Sequence, residues 1–254
     1  MDLPPPALPR CTRHPDRETG RLCTRCAQPY CSDCLQQASV GSICVDCRRA
    51  AAPSTRERAR YWNAAQPILI TKIIIAINVA VYLWVLAGDV KYATGTQLGP
   101  RAADIALFGP LVHDGEWYRI ISSGFLHFGL LHIGMNMFLL YQLGTILEGG
   151  IGRARFLAVY VASLFGGAAG ALLVDPRVAS GGASGAVFGL MAAAVIALKL
   201  RGVNPWRTGL GVTLLINLVI TFAIPGISKG GHIGGMIAGF ICGWALYAPG
   251  ATDP

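Results

Sequence analysis

Six long apolar runs dominate the chain after residue 65, and polar or glycine-rich segments separate them. Each run is close to the ~20 residues with which an α-helix crosses the hydrocarbon core of a bilayer. The pattern predicts an all-α polytopic membrane protein with six transmembrane helices. The runs cover about residues 68–87, 122–147, 154–174, 184–200, 208–225 and 231–248.

The first 60 residues differ from the rest, because they hold ten arginines, six acidic residues and seven of the eight cysteines. This contrast predicts a small cysteine-rich domain over residues 1–50, a basic juxtamembrane linker over 51–65 and a six-helix domain over 66–250. The opening stretch "MDLPPPALPR" has no apolar region of the length that a secretory signal needs. We therefore expect the N-terminal domain in the cytoplasm.

The basic residues also predict an orientation. The segment "RRAAAPSTRERAR" suits the anionic cytoplasmic leaflet, and placing it inside puts the other short basic loops inside as well. The long loop 88–121 then lies outside, where Trp117 and Tyr118 suggest partial embedding among the headgroups. Among the 254 residues, 53% are hydrophobic and 13% are charged, which excludes an ordinary soluble domain.

Eight side chains of metal-ligand type in the N-terminal region form four pairs, each with two residues between its members. Four thiolate or imidazole ligands close a structural tetrahedral site, so eight suit two Zn²⁺ ions without a place for a catalytic water. The alternative is a disulfide framework, which requires an oxidising compartment and leaves the histidine without a role. The ligands are Cys11, His14, Cys23, Cys26, Cys31, Cys34, Cys44 and Cys47.

One Cys-x2-His pair followed by three Cys-x2-Cys pairs resembles a B-box-type zinc finger, although that family usually has histidines in the last pair. The resemblance implies a cross-brace in which Cys11, His14, Cys31 and Cys34 hold one zinc and the other four cysteines hold the second. Sequential pairing is the alternative. We expect a recognition module, and three roles stay open for it: it binds a cytoplasmic protein partner, it orients the chain in the membrane, or it regulates the membrane domain. Nucleic acid is not expected, because an excess of four positive charges without a basic helix is weak support.

Few ionisable or amide side chains lie within the apolar runs, and each is costly in a bilayer. The second run contains His127, His132 and Asn136, while Ser184 opens the fourth run and His232 lies at the start of the sixth. At about 100° per residue, His132 and Asn136 share a helix face and His127 is turned away by roughly 140°, which indicates two different roles. Hydrogen bonding between helices is the simpler alternative for each of them.

Glycines follow both Ser184 and His232 at helical spacing. Such stripes let two helices approach closely, and a close crossing of the fourth and sixth runs would bring the hydroxyl to the imidazole. A serine beside a histidine base is the nucleophile of a serine hydrolase. The glycines are Gly185 and Gly189 after the serine, and Gly235, Gly239 and Gly243 after the histidine.

The motifs His-x4-His-x3-Asn, Gly-x-Ser-Gly and His-x2-Gly-x3-Gly, in this order, resemble the rhomboid family of intramembrane serine proteases over roughly residues 65–248. The resemblance implies that a Ser184 and His232 dyad, without an aspartate, hydrolyses peptide bonds in or near transmembrane segments of membrane-protein substrates. It also implies an oxyanion hole formed by His132, Asn136 and the backbone N–H of Ser184, in a site that opens outward.

The resemblance assigns supporting roles to further residues. His127 would anchor the outer loop. Arg119 matches the arginine of the family's Trp-Arg loop motif, although Tyr118 precedes it here. Phe188 stands where some relatives have tyrosine and would support the histidine ring by packing alone. The glycines at the same site are Gly182, Gly185, Gly235 and Gly239.

Two other functions stay open. A catalytically inactive rhomboid-like protein would bind membrane clients without cutting them, but the presence of both Ser184 and His232 argues against it. A metal or haem protein would use His127, His132 and His232 as ligands, but their spacing and the absence of His-Glu-x-x-His disfavour it. We expect a multi-pass cell-membrane protein whose partners are the bilayer and transmembrane substrates, and whose catalysis requires no cofactor.

Overall fold

The computed structural model describes residues 7–88 and 98–247 of the chain. The chain forms two compact units, Met1–Ala65 and Gln66–Pro254. Parts of the predicted N-terminal domain, outer loop and sixth run, at residues 1–6, 89–97 and 248–254, lie outside the described residues.

The N-terminal unit contains a short antiparallel hairpin, with strand β1 at Leu35–Gln37 and strand β2 at Ser42–Cys44. Helix α1, Val45–Ala51, follows β2 directly. The core consists mainly of cysteine side chains around Tyr30, with Leu35 packed against them. A core this small buries little aliphatic surface, so the unit needs a further source of stability at its sulfur atoms.

Helix α2, Thr55–Ala64, occupies most of the predicted linker. Its start is a capping box, in which the Ser54 hydroxyl accepts from the Glu57 N–H and the Glu57 carboxylate accepts from the Ser54 N–H. These two hydrogen bonds stabilise the first turn of a helix that buries none of its residues.

The second unit begins with helix α3, Leu69–Leu86, and continues with three short helices in the segment predicted to lie outside. These are α4 at Pro100–Ile105, α5 at Gly109–His113 and α6 at Arg119–Ser122. Leu107 pairs with Ser180 in a β-bridge, and Leu107 and Val112 are buried against Ala168. The outer segment therefore packs onto the helix bundle.

Five longer helices complete the bundle. Together with α3 they follow the six predicted apolar runs in order, which confirms the predicted helical membrane fold. In the described part of the chain, α3, α7 and α8 are long and apolar enough to cross a membrane, while α9 and α10 are shorter apolar helices of 17 and 14 residues. The five are α7 at Leu130–Ile151, α8 at Arg153–Val174, α9 at Ser184–Leu200, α10 at Leu210–Ala223 and α11 at Lys229–Tyr247.

The second apolar run is not one continuous helix. A 3₁₀ turn covers Ser123–Phe125, and α7 begins only at Leu130. Between them Gly129 has a φ of +84°, which glycine adopts without the clash that a Cβ would cause. The prediction that His127 shares a helix with His132 is therefore wrong, since His127 precedes this bend.

Helices α9 and α11 cross with their backbones in contact. A Cβ on Gly235 of α11 would collide with the backbone carbonyl of Gly185 in α9. Helix α8 joins the same contact, because a Cβ on Gly185 would lie 3.2 Å from the Cα of Gly167. Small residues permit this approach, which holds membrane helices together by close packing. The crossing places the starts of α9 and α11 side by side.

Candidate active site

Ser184 and His232 lie on different helices and are hydrogen-bonded to each other. Ser184 is the first residue of α9, and His232 lies in the first turn of α11. The Ser184 Oγ and the His232 Nε2 are 2.8 Å apart. The glycine crossing thus brings together a hydroxyl and an imidazole that are distant in sequence, in the geometry in which a histidine accepts a serine proton.

Two further side chains hold the His232 ring. Phe188, one turn after Ser184, stacks on the imidazole with ring centroids 4.3 Å apart and planes tilted by 20°. On the ring's other nitrogen, the Thr221 Oγ1 of α10 lies 2.7 Å from Nδ1. Thr221 was not among the residues predicted for the site, although its hydroxyl lies within an apolar run of the sequence.

His132, in the first turn of α7, lies beside the segment that leads to Ser184. A Cβ on Gly182 would come within 3.1 Å of the His132 Nε2 and 3.5 Å of the Ser184 Oγ. The His132 Nδ1 accepts a hydrogen bond from the Phe128 N–H at 3.1 Å. A neutral imidazole that accepts at Nδ1 carries its hydrogen at Nε2. His132 therefore presents an N–H donor on the Gly182 side.

Asn136 lies one turn after His132 and is buried. Its Nδ2 donates to the His132 carbonyl at 2.9 Å, within its own helix. A primary amide has two N–H donors, so this bond leaves a second one for another acceptor. One N–H of the Asn136 amide is thus used within α7, and the other is left to bind an acceptor outside the helix.

His127 braces the chain immediately before Ser184. Its side chain is fully buried, its Nδ1 lies 3.2 Å from the Phe125 carbonyl, and its Nε2 accepts from the Ala183 N–H at 3.4 Å. The ring therefore donates at Nδ1 and accepts at Nε2. The family resemblance implied that His127 anchors the outer loop, and the hydrogen bonds of its ring join residues 125 and 183.

Arg119 is the residue that ties the outer helices together. Its buried guanidinium donates to the carbonyls of Ala103 and Ala106 at 2.6 and 2.8 Å, and to the Glu116 carboxylate at 2.6 Å. The Tyr118 hydroxyl also donates to this carboxylate, at 2.8 Å. The hydrogen bonds from Tyr118 and Arg119 lower the pKa of Glu116.

A cavity of about 50 Å³ opens beside the Ser184 hydroxyl. Ser184, Gly182, Ser123, Leu164 and His232 are among the residues that line it. A bound water requires about 10–15 Å³ of such space and polar partners. The site therefore has room for water next to the serine and histidine.

The N-terminal unit collects its eight ligand-type side chains into two groups of four. In each group the ligand atoms all lie within 4.8 Å of one another. The groups are interleaved along the chain: the first and third Cys/His pairs form one group, and the second and fourth pairs form the other. They are Cys11, His14, Cys31 and Cys34, and Cys23, Cys26, Cys44 and Cys47. Both clusters are able to hold a metal ion.

The charges within the second cluster suit a cation. The Cys44 N–H donates to the Cys23 Sγ at 3.3 Å and lowers the pKa of that thiol to about 6. The neighbouring Cys44 sulfur and burial raise the pKa of Cys47 to about 12, because adjacent thiolates repel. A divalent cation removes this conflict when it binds the sulfurs. Thiolate and imidazole donors in sets of four fit Zn²⁺.

The Rhomboid domain family model matches residues 114–249, which is more than half of the chain. The chain belongs to the rhomboid family. This rhomboid is 38% identical to Rhomboid protease GluP of Bacillus subtilis (strain 168) over 144 residues, which cover 56% of the chain and 28% of that relative.

Two further relatives come from other kingdoms. This rhomboid is 35% identical to RHOMBOID-like protein 5 of Arabidopsis thaliana, over 59% of the chain and 52% of the relative. It is 33% identical to Rhomboid-type serine protease 2 of Emericella nidulans, over 46% of the chain and 24% of the relative. The chain thus spans about a quarter to a half of the length of these three relatives. Its membership of the rhomboid family and its long apolar helices identify the chain as a membrane protein.

Within this rhomboid, most of the predicted site residues meet at one end of the bundle. Around the Ser184 hydroxyl lie His232, Phe188, Gly182 and His132. Asn136 follows His132 by one turn in α7. His127 supports the chain before the serine, while Arg119 acts in the outer segment. Thr221 was missed.

Proposed function

We propose that this rhomboid is an intramembrane serine endopeptidase that cleaves peptide bonds in or near transmembrane segments of membrane proteins. The main support is the 2.8 Å contact between the Ser184 Oγ and the His232 Nε2 within a helical membrane domain. Two relatives are named as a rhomboid protease and a rhomboid-type serine protease, which favours the same class of reaction.

In the proposed reaction, the His232 Nε2 takes the Ser184 proton while the Oγ attacks the scissile carbonyl carbon. The new C–O bond pushes the carbonyl electron pair onto oxygen and forms a tetrahedral intermediate. The imidazolium then protonates the leaving amine as the C–N bond breaks, which leaves an acyl-enzyme. A water from the cavity beside Ser184 gives a proton to His232 and attacks the ester carbonyl carbon. The bond between that carbon and Oγ then breaks, the imidazolium returns the proton to Oγ, and the carboxylic acid product leaves.

Three donors would stabilise the negative oxygen of the intermediate. They are the Nε2–H of His132, the second amide hydrogen of Asn136 and the backbone N–H of Ser184. The last of these lies in the first turn of α9, where N–H groups lack intrahelical acceptors and the helix dipole favours a negative charge. Removal of one such donor typically raises the barrier by about 3–4 kcal/mol.

We also propose that the two N-terminal clusters hold structural Zn²⁺ ions in a cross-brace. Four ligands in each cluster leave no position open for water, so the ions would stabilise the unit and take no part in proteolysis. We assign three parts to the chain on this basis. They are a B-box-like domain over residues 1–50, a linker over 51–65 and a protease domain over 66–250. The exposed surface of the first domain would bind a cytoplasmic protein.

The proposed orientation places the N-terminal domain in the cytoplasm and the active site toward the outside of the cell membrane. Ser184 and His232 lie at the starts of α9 and α11, whereas Lys199 and Arg201 lie at the other end of α9. Basic residues are enriched in cytoplasmic loops. The end of the bundle that carries the serine and histidine would therefore face outward.

The proposal is tested by labelling purified full-length protein in detergent with a fluorophosphonate probe, which reacts with activated serines. Wild type should label, and Ser184→Ala and His232→Ala should not. Ser39→Ala and His113→Ala are matched controls at exposed positions and should label like wild type. Labelling that persists in Ser184→Ala would refute the assigned nucleophile. Folded wild type that never labels would favour an inactive client-binding protein.

A further inference from the structure

Thr221 is the buried point at which the C-terminal half of α10 meets the candidate active site. Its side chain is fully buried, whereas its neighbours Val219, Ile220 and Phe222 are exposed. In α10 the other buried residues, Leu210 and Gly211, lie at the opposite end of the helix. A polar side chain at such a position has to satisfy its hydrogen bonds locally.

The hydrogen bonds of Thr221 have a defined direction. Its hydroxyl has one hydrogen to donate and two lone pairs that accept. The hydrogen is directed to the Asn217 carbonyl, 2.7 Å away and one turn earlier in α10, which is a common bond for threonine in helices. Toward the His232 Nδ1, 2.7 Å away, the Thr221 oxygen is left to accept.

This direction determines the tautomer of His232. Because the Thr221 oxygen accepts, the Nδ1 carries the hydrogen, and a neutral imidazole then has a free lone pair on Nε2. That nitrogen is the one that lies 2.8 Å from the Ser184 Oγ. The hydrogens thus run in one sense, from Ser184 to His232, from His232 to Thr221 and from Thr221 to the Asn217 carbonyl.

We propose that Thr221 is a positioning residue for the reaction, which holds His232 in the Nδ1–H tautomer and keeps its Nε2 directed at Ser184. The inference rests on the proposed protease function, since the tautomer matters only if His232 acts as a base. In serine hydrolases with three catalytic residues, a buried carboxylate orients the histidine in this way. Here a neutral hydroxyl, supplied by a third helix, takes that place.

A neutral acceptor stabilises the positively charged His232 imidazolium less than a carboxylate would. When His232 becomes charged in the transition state, its Nδ1–H still has an acceptor in Thr221, but without the attraction of a full negative charge. Since Thr221 lies on α10 and not on α9 or α11, a displacement of the C-terminal half of α10 would remove the acceptor and leave the dyad unsupported.

Three variants of the full-length protein separate this role from simple packing. Thr221→Val keeps the branched shape but removes the hydroxyl, and Thr221→Ser keeps the hydroxyl. Thr213→Val is the matched control, because Thr213 makes the same bond to a carbonyl one turn earlier, just over two turns before Thr221. Thermal unfolding shows whether each variant is folded.

The first readout is kinetic and uses the fluorophosphonate labelling rate and cleavage of a reconstituted transmembrane substrate. We expect Thr221→Val to lower the labelling rate and kcat by roughly 10- to 100-fold, the range found when a metal-bound histidine loses the partner that orients it. KM should change little, because the proposed role of Thr221 is to orient His232 and not to bind substrate. Thr221→Ser should recover most of the activity, and Thr213→Val should behave as wild type.

The second readout is independent of activity. Selective ¹⁵N labelling of the five histidines, with His232→Ala for assignment, reports which nitrogen of His232 carries the hydrogen. We expect the Nδ1–H tautomer in wild type and a mixture of tautomers in Thr221→Val. A wild-type Nε2–H tautomer, an active Thr221→Val, or a Thr221→Ser as impaired as Thr221→Val would overturn the inference. Wild type that shows the Nδ1–H tautomer but never labels would overturn the proposed function instead.

Discussion

The backbone of Gly189 in α9 occupies the space into which a side chain on Gly239 of α11 would extend. A Cβ on Gly239 would collide with the carbonyl oxygen, the carbonyl carbon and the Cα of Gly189. Backbone atoms cannot rotate away as a side chain does. The distance between α9 and α11, and with it the contact between Ser184 and His232, therefore depends on glycine at this crossing.

We expect Gly239→Ala to push α11 away from α9, to destabilise the protein by about 1–3 kcal/mol and to lower fluorophosphonate labelling. The matched control is Gly134→Ala in α7, where an added Cβ meets no atom within 4 Å. That control should be neutral or stabilise the helix by about 0.5–1 kcal/mol. Unfolding in mixed detergent micelles measures both, and equal stability of the two variants would contradict the close crossing.

The buried Glu148 carboxylate of α7 caps the first turn of α3. It accepts from the N–H groups of Ile70 and Thr71 at 2.8 Å each, and from the Thr71 hydroxyl at 2.7 Å. Glu148→Ala leaves these donors without an acceptor, and we expect a loss of about 3 kcal/mol in the free energy of unfolding. Glu57→Ala, in the exposed capping box of α2, should cost much less, because water replaces the lost acceptor. Similar losses would argue against the buried cap.

Metal content tests the two N-terminal clusters. We expect two Zn²⁺ ions per chain by elemental analysis, and about one after Cys23→Ser, because a site with three ligands binds zinc more weakly. Cys242→Ser is the matched control outside the clusters and should retain two. A strong chelator should unfold the N-terminal unit. Metal-free wild type whose cysteines resist alkylation until they are reduced would support the disulfide alternative.

Glu116 predicts a pH effect on the outer segment. Its pKa in the folded protein lies below the ordinary value of 4.5, because the Tyr118 hydroxyl and Arg119 donate to the carboxylate. A carboxyl with a lowered folded-state pKa contributes stability above its unfolded pKa and loses it as pH falls through the folded pKa. Wild type should therefore lose more thermal stability below pH 4.5 than Glu116→Gln. Asp114→Asn, exposed nearby, should follow wild type, and identical curves for all three would refute the effect.

The helical membrane class, the cysteines as metal ligands, and Ser184 and His232 as candidate catalytic residues could all be predicted from the order of the residues. Apolar runs of bilayer length, paired cysteine spacing and glycine stripes are local patterns, so they are visible without knowledge of the fold. The sequence did not reveal that Gly129 interrupts the second run. A bend set by one backbone angle leaves the hydropathy of its neighbours unchanged.

Which side chains meet across helices depends on how the helices pack in the folded chain. Thr221 is a polar residue within an apolar run and Glu148 directly follows another, but their partners His232 and Thr71 are defined by how α10 and α7 are rotated against their neighbours. The interleaved grouping of the cysteines likewise depends on which segments lie side by side, since the Thr12 N–H donates to the Pro29 carbonyl and the Thr24 N–H donates to the Ser42 carbonyl. Hydrogen bonds require atoms within about 3 Å, and helix rotation and crossing set such distances.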